Sequence, residues 1–120
     1  MSERNAGSSS VFPPPIQALP EAEIPVPGLK SYLSQSESHQ IIFMEFVQNA
    51  EVPEHAHEAQ WAVVLAGEIE LTIGGETKTY RQGESYYIPA GVKHGAKIRA
   101  GYADATFFNQ PDRYKAKEQA

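Results

Sequence analysis

The chain has no cysteine. Disulfides, thiolate nucleophiles and thiolate metal ligands are excluded, so any metal must be held by nitrogen and oxygen. It also lacks an apolar run near the roughly 18 residues that a membrane-spanning helix needs. Positive charge is sparse, with 10 Lys and Arg against 15 Asp and Glu and a net charge of −5. A broad nucleic-acid surface needs clustered Lys and Arg, so neither nucleic acid nor a membrane is an expected partner. The amino terminus lacks the basic-then-apolar order of a secretory signal, which makes cytoplasmic residence the expectation. Amphipathic helical periodicity is missing too; only the tail "PDRYKAKEQA" has helix-friendly composition, and it is too polar to need a core contact. What is present, 120 residues with 41% hydrophobic and 21% charged, suffices for one core and not for two.

Three regions follow from texture. Residues 1–18 are rich in Ser, Pro and Gly without a sustained apolar period, and are expected to be loosely held. Residues 19–110 carry the folded domain, and 111–120 form a polar tail. Pro20, Pro25 and Pro27 make the first part of the domain extended, suited to a sheet edge where a missing amide donor matters least. From Gly28 onward, β-branched and aromatic runs such as "LKSYLSQ" and "HQIIFMEFVQ" alternate with turn residues. In "EIELTI", Ile69, Leu71 and Ile73 share one face while Glu68, Glu70 and Thr72 share the other, the period of a half-buried strand. Gly74-Gly75 then predicts a tight hairpin, and "YADATFFN" a last strand. Short strands punctuated in this way indicate an all-β sandwich or barrel.

The chemistry concentrates in "EHAHEAQW", residues 54–61. Residues two apart on a strand share a face about 6.5 Å apart. The imidazoles of His55 and His57 can therefore converge on one ion at about 2.0–2.1 Å each. A third ligand is required. His94 supplies a candidate in "GESYYIPAGVKHG", where the Pro89–Gly91 turn places the start of a strand at a barrel mouth.

With these residues in place the sequence resembles a small single-domain cupin of the RmlC-like superfamily. His55 and His57 fit the histidine pair of that family's first motif. Gln60 stands at its Glu position, with six residues between it and the closing Gly67. Gly83, Pro89, Gly91 and His94 match the second motif in register, and the resemblance runs from Gly28 to Asn109. It implies a double-stranded β-helix (jelly-roll) barrel whose metal ligands are His55, His57, Gln60 and His94. The departures are specific. No glycine leads the first motif, where "NAEVPE" precedes the pair; Ile98 replaces a closing Asn and is read as packing; the spacer is only Glu58-Ala59; an amide replaces the acid. The fourth histidine, His39, matches no motif position and is read as an ordinary strand or turn residue.

Parity makes the amide testable. In one unbroken strand Gln60 would face away from His55 and His57, so coordination demands a break at Glu58-Ala59. A new strand "QWAVVLAG" would then direct Gln60, Ala62 and Val64 inward and Trp61, Val63 and Leu65 outward, the outward set suggesting a homodimer interface. Glu54 and Glu58 each neighbour a histidine and are expected to point into solvent.

Three neutral imidazoles and a neutral carbonyl leave a divalent transition metal (Zn, Ni, Fe, Mn or Cu) with its charge uncompensated, which favours Lewis-acid chemistry on an anionic small molecule. The resemblance to three-His-one-Gln cupins that linearise unsaturated uronates implies isomerase or lyase chemistry on a sugar-acid-like carboxylate. A dioxygenase and a non-catalytic binding or sensing module are the alternatives. The acid–base candidates are Tyr87, Tyr102 and Glu45, with Tyr86 beside them, and Lys97 and Arg99 are candidates to guide an anion.

Overall fold

The computed structural model describes residues 10–118. A one-turn helix α1 (Pro14–Gln17) precedes nine strands: β1 (Leu29–Gln35), β2 (Gln40–Phe46), β3 (Ala50–His55), β4 (Gln60–Ala66), β5 (Glu68–Ile73), β6 (Glu76–Arg81), β7 (Ser85–Ile88), β8 (His94–Ile98) and β9 (Ala103–Phe108). They form a five-stranded sheet, β1-β2-β9-β4-β7, and a four-stranded sheet, β3-β8-β5-β6, with every strand pairing antiparallel. This is the jelly roll that the cupin resemblance implies.

Period-2 alternation decides which side chains lie between the sheets. Phe46, Ala62, Val64, Tyr86, Ile88 and Tyr102 from the first sheet meet Ile69, Leu71 and Ile98 from the second in one core cluster. Ile98 is 6% exposed there, as packing requires. The Gly74-Gly75 hairpin joins β5 to β6, with both glycines at positive φ. Gly67 has a stricter duty at the β4–β5 turn. Its φ is +69°, and a Cβ there would stand 2.9 Å from the Tyr102 Cα, so any side chain would push the turn off the core.

The segment expected to be loosely held divides in two. Residues 1–9 lie outside the described residues, whereas residues 10–18 are packed against the outer face of the larger sheet. Phe12 is 4% exposed and meets the rings of Tyr32 and Phe43 edge-on at 6.0 and 5.6 Å. One buried aromatic outweighs a polar, proline-rich context that by itself predicts disorder. Residues 20–22 run along the free edge of β1, where the Leu33 N–H donates to the Pro20 carbonyl and the Ala22 N–H to that of Ser31. The tail is likewise held. Among the described residues it forms no helix; instead Tyr114 packs on Phe108, and Gln40 bonds both polar groups of the Tyr114 backbone. No described helix is long and apolar enough to cross a membrane.

Candidate metal centre

β3 is an edge strand containing Pro53, which has no amide to donate and sits at a break in the ladder. Val52 pairs with Ala96 and His55 with His94, so three steps along β3 oppose two along β8. This bulge reverses parity, and both Val52 and His55 line the cavity between the sheets. Gly95 permits the close approach, since a Cβ there would lie 2.9 Å from the Val52 carbonyl oxygen. His57 lies past the end of β3, so the pair does not share one strand as the spacing suggests. Its backbone is held by the Pro89–Gly91 turn, where the Gly91 N–H donates to the His57 carbonyl at 2.9 Å.

The three rings converge, with centroids 5.1 Å apart for His55 and His57, 4.3 Å for His55 and His94, and 4.7 Å for His57 and His94. One ligand atom from each can be chosen so that all three lie within 4.8 Å of one another. Each Nδ1 meets a backbone carbonyl: His55 with Pro53 at 2.9 Å, His57 with Glu58 at 2.7 Å, and His94 with Val92 at 2.9 Å. A carbonyl only accepts, so every Nδ1 carries a proton, and in the neutral rings Nε2 is bare.

The His57 and His94 Nε2 atoms stand 3.1 Å apart. Two bare lone pairs at that distance repel unless a proton or a cation lies between them. Burial opposes the proton: it lowers the His57 imidazole to about 4, helped by Arg113 and by the neighbouring rings, and it lowers His94 as well. Two nitrogens each about 2.1 Å from a common ion and subtending about a right angle lie about 3.0 Å apart. The donor set fits a divalent transition ion, and the three carbonyls supply the outer hydrogen bonds that orient such ligands.

The chain breaks where parity requires. β3 ends at His55, β4 begins at Gln60, and the Asn109 N–H ties the Ala59 carbonyl between them at 2.9 Å. Gln60 lines the same cavity as the three histidines, paired in register with Phe108 on β9 and Ile88 on β7. Ala62 beneath it is fully buried and Trp61 points outward, 46% exposed. Glu54 and Glu58 are exposed. His39 is an ordinary turn residue, its Nδ1 within 2.9 Å of two serine hydroxyls and its ring stacked on Phe107. The cavity encloses about 100 Å³ and is lined mainly by aliphatic and aromatic side chains, among them Met44, Phe46, Leu71 and Ile88.

Several expectations need correction. Tyr87 is 58% exposed on the outer face, because alternation in β7 turns Tyr86 and Ile88 inward instead. Glu45 is buried outside the cavity, where it accepts hydrogen bonds from the Ser10 hydroxyl at 2.6 Å and the Val11 N–H at 3.3 Å and so anchors the N-terminal segment. Lys97 and Arg99 flank a different, solvent-open cleft with Glu68 and Glu70; Arg99 lies beyond the end of β8 opposite His94. Of the acid–base candidates only Tyr102 reaches the cavity, with Tyr86 beside it.

Two residues were missed. Asp104, 3% exposed, lines the cavity and accepts from the Tyr102 hydroxyl at 2.5 Å and the Thr106 hydroxyl at 2.9 Å. The signal was available: in "YADATFF" the inward parity set is Tyr102, Asp104, Thr106 and Phe108, and an aspartate amid such a set needs a reason. Arg113 is half-buried, its guanidinium 4.3 Å from the Tyr114 ring and 5.9 Å from that of Phe108, which meets His57 edge-on. Its buried Nε has no hydrogen-bond partner among the described residues. Nothing in a polar tail singled it out.

A family model of the cupin domain matches residues 42–108. Among solved structures, an RmlC-like cupin from Shewanella frigidimarina is 29% identical with a TM-score of 0.68, covering 78% of this chain and 86% of that one. KdgF from Halomonas sp. is 21% identical with a TM-score of 0.65, covering 76% and 87%. Oxalate decarboxylase from Bacillus subtilis is 21% identical with a TM-score of 0.65, covering 77% of this chain and 28% of that one. A mannose-1-phosphate guanylyltransferase from Salmonella montevideo is 46% identical over 41 residues, 34% of this chain and 9% of that protein. The chain thus spans under a tenth of the length of that relative. With more than half of its length matched by that model, and with His55 and His94 paired on one sheet and His57 converging on them from the following loop, the chain belongs to the cupin family.

Proposed function

We propose that this cupin is a metal-dependent small-molecule enzyme that uses a divalent ion as a Lewis acid, with isomerase or lyase chemistry on a sugar-acid-like or related carboxylate. The observation that carries the reading is the donor set. Three imidazoles present bare Nε2 atoms with no acid among them, and Gln60, at the mouth of the same cavity, offers a neutral carbonyl as fourth ligand. An ion held there keeps its charge, polarises the oxygen atoms bound to it and favours anionic partners. Arg113 supports the anion. Its Nε, without a hydrogen-bond partner among the described residues, and its position against Phe108 put a second positive charge beside His57. The apolar walls exclude water and strengthen both interactions.

Metal analysis of protein purified without added ions, together with turnover of unsaturated uronates, tests this. Iron accompanied by oxygen uptake would replace it with an oxygenase. Tight binding without turnover across sugar acids, keto acids and phenolics would replace it with a ligand sensor. The amide makes a sharper prediction. Gln60→Glu is expected to tighten metal binding and to weaken carboxylate binding by at least about tenfold, because a unit of negative charge returns to the ion's first neighbours. Titration calorimetry of both proteins with acetate and with metal reads the two effects separately, and equal carboxylate affinities would count against the uncompensated-cation argument.

A second copy of the chain is the proposed partner. Trp61, Leu65 and Tyr87 are 46%, 38% and 58% exposed on the outer face of the larger sheet, and Trp61 and Tyr87 are register neighbours across β4 and β7. Sedimentation at micromolar concentration is expected to give a dimer, and Trp61→Glu to give a monomer. A monomeric wild type would refute the interface.

A further inference from the structure

The cavity has a second polar pole. Along β9 the inward residues descend from Phe108, against His57, through Thr106 to Asp104. Four residues of strand put Asp104 about 13 Å below Phe108. Its carboxylate is held by the Tyr102 and Thr106 hydroxyls, and the Tyr86 hydroxyl lies 3.3 Å from that of Tyr102. Between the two poles the wall is aliphatic and aromatic, including Phe46, Leu71, Ile88 and Ile98.

A core has no need of this arrangement. Burying a carboxylate costs more than its hydroxyl hydrogen bonds, from Tyr102, Thr106 and Tyr86, return, and desolvation accordingly pushes Asp104 up to about 6. A carboxylate offers about four acceptor sites; the Tyr102 and Thr106 hydroxyls fill two of them, and the Tyr86 hydroxyl also bonds to it. Capacity remains for a donor arriving from the cavity. The site is electrically graded, with a cation-binding mouth beside Arg113 and an acidic floor, so a ligand with anionic groups at both ends is disfavoured.

We infer that Asp104 is the floor of a specificity subsite, which takes the hydroxyl or ammonium end of a short ligand whose carboxylate is held at the metal centre. The inference rests on the proposed anionic ligand and narrows it to a bipolar, short-chain compound. Size agrees. An apolar cavity of about 150 Å³ takes benzene, so the 100 Å³ here suits about four heavy atoms beyond the carboxylate held at the mouth. Asp104 acts here in recognition, and Tyr102 and Thr106 position it.

The test is a binding ladder on the zinc-loaded full chain, read by calorimetry: propanoate to hexanoate, each with its ω-hydroxy and ω-amino counterpart. At the length that spans the cavity, the ω-hydroxy or ω-amino acid is expected to bind on the order of tenfold or more tighter than the methyl-terminated acid, as a hydrogen bond to a charged acceptor implies. Asp104→Asn and, as a second variant, Asp104→Ala are expected to bring the pair within about twofold of each other at that length. Equal affinities in the wild type at every length would overturn the inference even if neither variant folds, and so would a preference that survives in Asp104→Asn. The metal dependence of the plain acids is a separate readout. Their undiminished binding to chelator-stripped protein would count against the anionic-ligand reading itself, with the terminal preference still judged on the same ladder.

Discussion

Purified His94→Ala protein is expected to hold less than about a tenth of the metal carried by the wild type, with affinity reduced on the order of a hundredfold or more. His94 is 4% exposed, paired in register with His55, and its Nε2 lies 3.1 Å from that of His57. Its removal leaves two imidazoles, one of them on a loop. A metal bound at a hundred times its dissociation constant stabilises the fold by about 2.7 kcal/mol. The variant should therefore melt like chelator-treated wild type, and further chelator should not move it. His55→Ala should behave the same way, while Glu54→Ala and Glu58→Ala, both at exposed carboxylates, should keep full metal content. Mass spectrometry for metal and a thermal melt with and without chelator suffice. Unchanged metal content in His94→Ala would sink the assignment of the whole centre.

The second large effect concerns Asp104. Its folded pKa, pushed up by burial to about 6, exceeds the ordinary 3.8. The folded state therefore holds its proton more tightly than the unfolded state does. Relative stability is fully present below pH 3.8 and is lost as pH rises to about 6, amounting to roughly 3 kcal/mol. Asp104→Asn removes that dependence. Whatever its hydrogen bonds cost, its stability relative to wild type should improve by up to roughly 3 kcal/mol between pH 3.5 and pH 7.5. The comparison must be between the two proteins. In metal-free protein the lowered His57 works in the opposite sense, since its stability contribution is present above pH 6.5 and is lost as pH falls towards 4. Both proteins share that term, and it cancels. Urea denaturation at the two pH values, with a difference that does not change with pH, would show that Asp104 is solvated.

These two predictions separate what could be read early from what could not. Fold class was open to inspection because period-2 alternation and paired glycines are local. "EIELTI" and Gly74-Gly75 specify a hairpin through the backbone needs of their own residues. Cupin membership followed from spacings that survive any detail of packing. The break between His57 and Gln60 was also derivable, because strand parity admits no other way for both to face inward.

Non-local geometry escaped. Which tyrosine of "YY" faces the core depends on the register of β7 against β4, which no single strand states. The bulge at Pro53 depends on β3 closing against Gly95 of β8. Phe12, Glu45 and Arg113 each act on a partner more than 30 residues away, Phe12 on Phe43, Glu45 on Ser10 and Arg113 on His57. By itself, then, the sequence determined an all-β cupin and three histidines capable of holding a metal, since local backbone preference and motif spacing are carried by neighbouring residues. Only the tertiary structure decided the protonation pattern that leaves three Nε2 atoms bare, the placement of Arg113 and the acidic floor at Asp104. Those are properties of desolvation and convergence, and they exist only once distant strands have closed around a cavity.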